Sequence, residues 1–410
     1  MKKINIKLFV TFLFIFNLYF LSAQQGGGMW IPNQLNEKEM KQMGMKISAK
    51  QIFDPKNPSI KDAIAHFGGG CTSEVISPKG LLLTNHHCGY YNIQSHSTVE
   101  NDLLSNGFWA KDFNDELPNE GLKATFIVDI KDVSQQILEG TTDFQTEAAR
   151  KEVIEVNTVN LLKSLNKEAY QDIIIRPFYD GNQYYAFITE TFEDVRLVGT
   201  PPSSIGKFGS DTDNWVWPRH TGDFSLFRIY ADKNNRPAKY SKDNIPYTPK
   251  YFLPVSIKEK TENDFSFVFG FPGRTQEYLP ASALQQTIET INPARISLRD
   301  ATLKIMDQKM RADKEIKIQY ASKYASIANG WKKWIGENQG LKQSKAVQKK
   351  NEYETQFTQY INSHPDAKNK YGNLLPTLND VYQSNNRYVK ANIYFNEVFY
   401  SNSETFRMAI

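Results

Sequence analysis

The chain has 410 residues, 40% hydrophobic and 13% aromatic, enough to bury cores in two or three domains and too apolar for a disordered chain. Its formal charge is +4, and loss of Lys2, Lys3 and Lys7, with no acid among their neighbours, leaves +1. A nearly neutral protein has no electrostatic reason to seek nucleic acid or acidic membranes.

Residues 1–23 read as a secretory signal peptide. A basic start leads into an apolar run from Leu8 to Leu21, too short to span a bilayer, and Ser22-Ala23-Gln24 provides a small-residue exit. No cysteine stands at that exit, so a lipid anchor is not expected. Nor is stable membrane insertion after cleavage. The protein is expected to be exported, to the periplasm, the cell surface or the medium, where disulfides persist.

A flexible leader from Gln24 to Gly28 precedes Met29-Trp30-Ile31-Pro32, where folding is expected to begin. Residues 35–66 mix polar and apolar positions around Pro55 and Pro58 and suggest short helices and loops. Gly68-Gly69-Gly70 reads as a turn, since a phosphate cradle needs a following helix and a strand-like run follows here.

From Cys71 to Cys88 the spacing predicts two short strands joined at Ser77-Pro78-Lys79-Gly80, with His86 and His87 ending the second. Further strands are expected over 124–130, 173–179, 183–188, 224–230 and 265–271, the second and third joined at Asp180-Gly181-Asn182. Residues 145–168 carry a helical pattern. Many short strands between turn residues favour a barrel or sandwich over a parallel sheet.

Near Thr275 the pattern turns helical. Leu284, Ile288 and Ile291, then Leu303, Met306 and Met310, then Ile316, Tyr320, Tyr324 and Ile327 recur at helical spacing, as do Leu378, Val381, Tyr388, Phe395 and Phe399. These stripes are read as helix cores and not as a cofactor box. The division expected is a β-rich domain over 24–275 and a helical domain over 276–410, cut short where no cap follows Met408-Ala409-Ile410.

Thr84-Asn85-His86-His87-Cys88, after a strand and with a second cysteine one hairpin upstream, resembles the histidine segment of trypsin-like serine peptidases. That resemblance makes His87 the general base and implies a Cys71–Cys88 disulfide beside it, which export also allows. A metal site at His86–His87 is not expected, because no His-x-x-x-His or Cys-x-x-Cys accompanies the pair. The orienting carboxylate should open a distant strand, as Asp223 does in Gly222-Asp223-Phe224-Ser225-Leu226-Phe227; Asp211 and Asp213, in a polar loop, compete with it. A Gly-x-Ser-Gly nucleophile turn is absent, and neither Ser210 nor Ser225 fills that role, so this chain has no assigned nucleophile.

Longer motifs make the resemblance narrower. Gly28-Met29-Trp30-Ile31-Pro32, Thr84-Asn85-His86-His87-Cys88-Gly89-Tyr90, the run from Asp213 to Phe224, Gly270-Phe271-Pro272-Gly273 and Asn329-Gly330-Trp331-Lys332 resemble the bacterial serine dipeptidyl-peptidases of peptidase family 46. The resemblance implies an α+β fold: a double β-barrel catalytic domain of trypsin type with an inserted helical cap. It puts His87 and Asp223 on the catalytic histidine and aspartate, and Asn214, Trp215 and Asn329 on residues holding the substrate's free amino end. Peptides with a free amino terminus are the implied substrates, a homodimer the implied assembly, and no cofactor or metal is implied. Family members are longer, with the serine and the second barrel in the part beyond this sequence, so the chain reads as an N-terminal portion inactive by itself. Two other readings stay open here: a non-catalytic exported peptide-binding remnant, and a trypsin-like endopeptidase.

Overall fold

The structure is a computed structural model describing residues 29–142, 145–273, 276 and 278–409. The expected signal peptide, the flexible leader, residue 275 and Ile410 lie outside the described residues.

Short runs of β-branched and aromatic residues between turns give strands β1 (Ile64–Phe67), β2 (Cys71–Val75), β3 (Leu81–Thr84), β4 (Phe108–Trp109), β5 (Leu117–Pro118) and β6 (Ala124–Asp132). Then follow β7 (Gln171–Phe178), β8 (Gln183–Phe192), β9 (Asp194–Thr200), β10 (Ser225–Ala231) and β11 (Ile245–Pro246). All join one antiparallel sheet of eleven strands, in the order β4-β9-β10-β3-β2-β1-β6-β8-β7, with β11 on β10 and β5 on β9. The two expected hairpins form. Gly80 takes the positive φ (+64°) that closes β2 to β3, and β7 and β8 pair from Phe178↔Gln183 outward.

Alternation places Ala65, Phe67, Val75, Leu82, Phe126, Phe192, Val195, Leu197, Phe227 and Ile229 in one dry core. Beside it, β9 and β10 bring Arg196 directly opposite Arg228. Each has its own acid. Asp194 accepts twice from Arg196 at 2.9 Å, while Glu116, just before β5, accepts from Arg228 Nε at 2.8 Å and from the Tyr230 hydroxyl at 2.8 Å. The Arg196 guanidinium also lies 3.6 Å from the Tyr230 ring centroid.

Helix α1 (His86–Ser95) follows β3 directly, and α2 (Glu147–Ser164) matches the expected helix. The C-terminal part is helical, with α3 (Asn292–Ala312), α4 (Lys314–Gln343), α5 (Ala346–Ser363) and α6 (Leu374–Phe395) as its long elements. Asp313 caps α4 by accepting from Glu315 and Ile316 N–H groups. Leu303, Ile327 and Ala328 form the α3–α4 core, with Met306, Tyr324 and Trp331 packed on it. This part docks on the sheet. Gln94 of α1 donates to the Gln319 carbonyl at 2.9 Å and accepts from Ser322 N–H at 2.8 Å, and Ala321 enters the main core.

The mixed helix and antiparallel-sheet architecture agrees with the expected class. Away from the histidine pair, two local expectations fail. Residues 265–271 form no strand: Phe265 and Phe269 pack on Met40, Met45 and Ile52, and Phe271 N–H donates to the Thr72 hydroxyl at 2.8 Å instead of joining a ladder. The stripe on α6 is not a core either, since Val381, Tyr388 and Phe395 are exposed and Ile393 is the buried residue of that helix.

Candidate active site

Pairing of β10 with β3 sets the geometry. Ser225 stands opposite Thr84, so Asp223, just before β10, meets the residues leaving β3. The histidine pair does not continue the strand as expected. It begins α1, with Asn85 at the junction. Asn85 does not use its side chain as a helix cap but directs it to Asp223, donating to the carbonyl oxygen at 3.1 Å and to Oδ2 at 3.4 Å. The Ser225 hydroxyl, fully buried, donates to the Asn85 carbonyl at 2.9 Å, which ties the junction to β10. Helix α1 lies close against β10 because residue 89 is glycine: a Cβ there would sit 2.9 Å from the Phe227 ring and the Ser225 hydroxyl.

His87 Nδ1 lies 2.8 Å from Asp223 Oδ2, and the His87 backbone N–H donates to Oδ1 at 3.1 Å. One carboxylate therefore holds both the ring and the main chain of the same residue. The imidazole is 64% exposed and the carboxylate 13%. Burial pushes the Asp223 carboxyl up. The hydrogen bond and charge of His87, its N–H and the Arg219 guanidinium outweigh burial and hold the group below the ordinary carboxylate value. Of the competing acids, Asp211 pairs with Lys207 and Asp213 packs on Gly209.

His86 has a different environment. It is buried, its ring lies edge-on to Tyr90, and its Nε2 has no hydrogen-bond partner among the described residues. Burial pulls its pKa down to about 4, with Asp223 opposing and His87 and Lys207 assisting. Gly206 makes room for this ring, since a Cβ there would sit 2.4 Å from Cδ2.

Cys71 and Cys88 form the disulfide, Cα atoms 6.1 Å apart, at the first turn of α1. Donor atoms of Cys71, His87 and Cys88 lie within 4.8 Å of one another, but the two sulfurs are bonded to each other and neither offers a thiolate.

Asn214, Trp215 and Asn329 also come together, across more than a hundred residues of sequence. Asn214 Nδ2 and Trp215 Nε1 both donate to Asn329 Oδ1, at 3.0 and 2.9 Å. Asn329 belongs to α4, so the sheet-rich and helical parts each contribute to this cluster. Arg219 was not singled out in the sequence. It reaches both groups, with Nη1 3.5 Å from Asn214 Oδ1 and Nη2 3.7 Å from Asp223 Oδ2. Only its place in the run from Asp213 to Phe224 marked it. Among the described residues, no helix is long and apolar enough to cross a membrane.

A family model described as Peptidase S46 matches residues 23–410. An Asp/Glu-specific dipeptidyl-peptidase of Flavobacterium psychrophilum is 56% identical over 400 residues, which is 96% of this chain and 56% of that protein. Dipeptidyl-peptidase 7 of Phocaeicola vulgatus is 39% identical over 410 residues, covering 97% of this chain and 56% of its own length. The crystal structure of Porphyromonas endodontalis DPP11 in complex with dipeptide Arg-Glu superposes with a TM-score of 0.84 at 38% identity, over 90% of this chain and 54% of that one. The chain thus spans about half the length of the curated relatives it matches. With the motifs, the sheet and the match all in agreement, the chain belongs to the peptidase S46 family.

Proposed function

We propose that this chain carries the histidine–aspartate half of an exported serine dipeptidyl-peptidase. The observation that carries the reading is the 2.8 Å contact between His87 Nδ1 and Asp223 Oδ2 at an exposed imidazole. With Nδ1–H committed to the carboxylate, Nε2 is the nitrogen that accepts a serine proton and returns it to the leaving amine. Asp223 fixes that tautomer and stabilises the imidazolium. The serine and the oxyanion donors come from polypeptide corresponding to the half of the relatives that this chain does not span. The sheet serves as the first barrel of a trypsin-type pair, and the helical part as its cap.

Asn214, Trp215 and Asn329 hold the peptide's free amino end. An ammonium has three donors and no acceptor, so amide oxygens suit it, and an indole adds cation–π attraction. Fixing that end on α4, near His87, sets a register of two residues. A preference for acidic residues at the second position is favoured because the Asp/Glu-specific relative is 56% identical, against 39% for the dipeptidyl-peptidase 7.

The test uses the protein carrying its nucleophile, assayed with dipeptidyl reporters bearing Asp, Glu or apolar residues next to the scissile bond. His87→Ala is expected to lower kcat by roughly 10³-fold or more. Retained turnover removes His87 from the mechanism, and internal cleavage of amino-blocked peptides converts the reading to an endopeptidase.

A further inference from the structure

Arg219 stands between the two clusters just described, and its surroundings fix how it can move. Its Nε donates to the Thr221 hydroxyl at 3.1 Å, and that hydroxyl donates in turn to the Phe208 carbonyl at 2.9 Å. The two terminal nitrogens divide their contacts. One reaches Asn214 Oδ1 at 3.5 Å, the other Asp223 Oδ2 at 3.7 Å, both at the long edge of a polar contact. A guanidinium anchored at Nε with two loose ends can tighten on either side at the expense of the other.

The amide oxygens decide which. Asn329 Oδ1 already accepts two hydrogen bonds, from Asn214 Nδ2 and Trp215 Nε1, which uses both of its lone pairs. Among the described residues Asn214 Oδ1 has only the long contact with Arg219, and it is the acceptor open to an incoming ammonium. An ammonium placed there takes that oxygen and repels the guanidinium, leaving Asp223 Oδ2 as the counter-charge for Arg219. A blocked amino end keeps one N–H for that oxygen but carries no charge to repel the guanidinium.

We propose that Arg219 is a positioning residue that transmits occupancy of the amino-end site to the His87–Asp223 pair, so that a free amine tightens the carboxylate that holds the imidazole. This rests on the assignment of Asn214, Trp215 and Asn329 to the substrate's amino end. Its consequence for the reaction is that discrimination against blocked peptides enters kcat as well as KM, because a blocked peptide leaves Asp223 less firmly held.

The test is a binding experiment on the 410-residue chain, labelled with ¹⁵N in arginine and histidine, titrated with the dipeptide Ala-Glu and separately with its N-acetyl form. Free Ala-Glu is expected to move the Arg219 Nε–H and His87 Nδ1–H resonances with one shared Kd, and the acetylated form to move neither. In Arg219→Gln, calorimetry should show Ala-Glu binding within about tenfold of the wild type, while the His87 resonance no longer responds; Arg219→Lys, which keeps the charge, should restore part of the response. If His87 moves equally in Arg219→Gln, or moves in the wild type while Arg219 does not, the relay is refuted and the amino-end site stands. If Ala-Glu does not bind, or binds no better than its acetylated form, or binds unchanged to Asn214→Ala, the amino-end assignment falls and the relay with it. Should Arg219→Gln fail to fold, the paired wild-type resonances still decide.

Discussion

Replacing both bridge cysteines by alanine, C71A/C88A, isolates what the disulfide does for the hairpin that carries His87. The bridge closes a ring with a sequence separation of 17. Chain-entropy loss for a ring of that size destabilises the unfolded state by about 3 kcal/mol at 25 °C. Both sulfurs also pack against the main core, and losing them adds on the order of 1 kcal/mol. A loss of about 4 kcal/mol is a large share of the roughly 5–15 kcal/mol typical of a domain. Urea unfolding of the oxidised wild type and the double variant, followed by tryptophan fluorescence and far-UV circular dichroism, measures the difference. The His87–Asp223 contact should survive in the folded variant, because Asn85, Ser225 and the β3–β10 pairing hold it independently. A stability difference below about 1 kcal/mol with an unchanged denaturant slope would refute the entropic argument. Loss of the His87 Nδ1–H resonance in a folded variant would instead make the bridge the element that aligns the base.

Acid should destabilise the fold through His86. Its folded pKa of about 4 lies below the ordinary 6.5, so the neutral ring favours the folded state above pH 6.5, and that contribution is lost as pH falls from 6.5 to about 4, at up to about 1.4 kcal/mol per pH unit. Urea midpoints measured across that range should fall in the wild type and flatten in His86→Gln; equal slopes would sink the claim. Asp223, whose folded pKa is lowered, adds stability present above its unfolded value of 3.8 and lost only as pH falls further, through its folded pKa. Gly206→Ala drives a Cβ to 2.4 Å from the His86 ring and should cost roughly 1–3 kcal/mol, recovered when His86 is also truncated to alanine. A neutral Gly206→Ala would show that the ring is free to move.

What the sequence revealed, and what it hid, divides along the range of the interactions. Pro78 and Gly80 dictate their turn locally, and Asp180-Gly181-Asn182 does the same, so both hairpins were legible. Asp223 was legible because an acid ahead of alternating apolar residues marks the mouth of a strand. The start of α1 was not. Thr84-Asn85-His86-His87 looks strand-like, and what turns it helical is tertiary: Asn85 is drawn to Asp223 and Gly89 allows close approach to β10. Residues 265–271 alternate like a strand but place Phe265 and Phe269 on the Met40–Met45–Ile52 cluster. The β9 strand, Asp194–Thr200, is not among the strands expected from the sequence, although Val195 and Leu197 alternate with Arg196. Proximity of Asn214 and Trp215 to Asn329 rests on docking of α4 against the sheet, which no local pattern encodes; only the motif resemblance brought those residues forward.

Arg196 and Arg228, face to face on neighbouring strands, make an alignment gauge for the sheet. A slip of one residue between β9 and β10 would turn Arg228 to the opposite side, away from Glu116 beside β5, and strand those two charges in dry surroundings, while Arg196 and Asp194, both on β9, would stay paired. Misregistered chains are thereby penalised far more heavily than an all-apolar pair of strands would penalise them. Since β10 also delivers Asp223, fidelity of that one strand pair decides whether the imidazole finds its carboxylate at all.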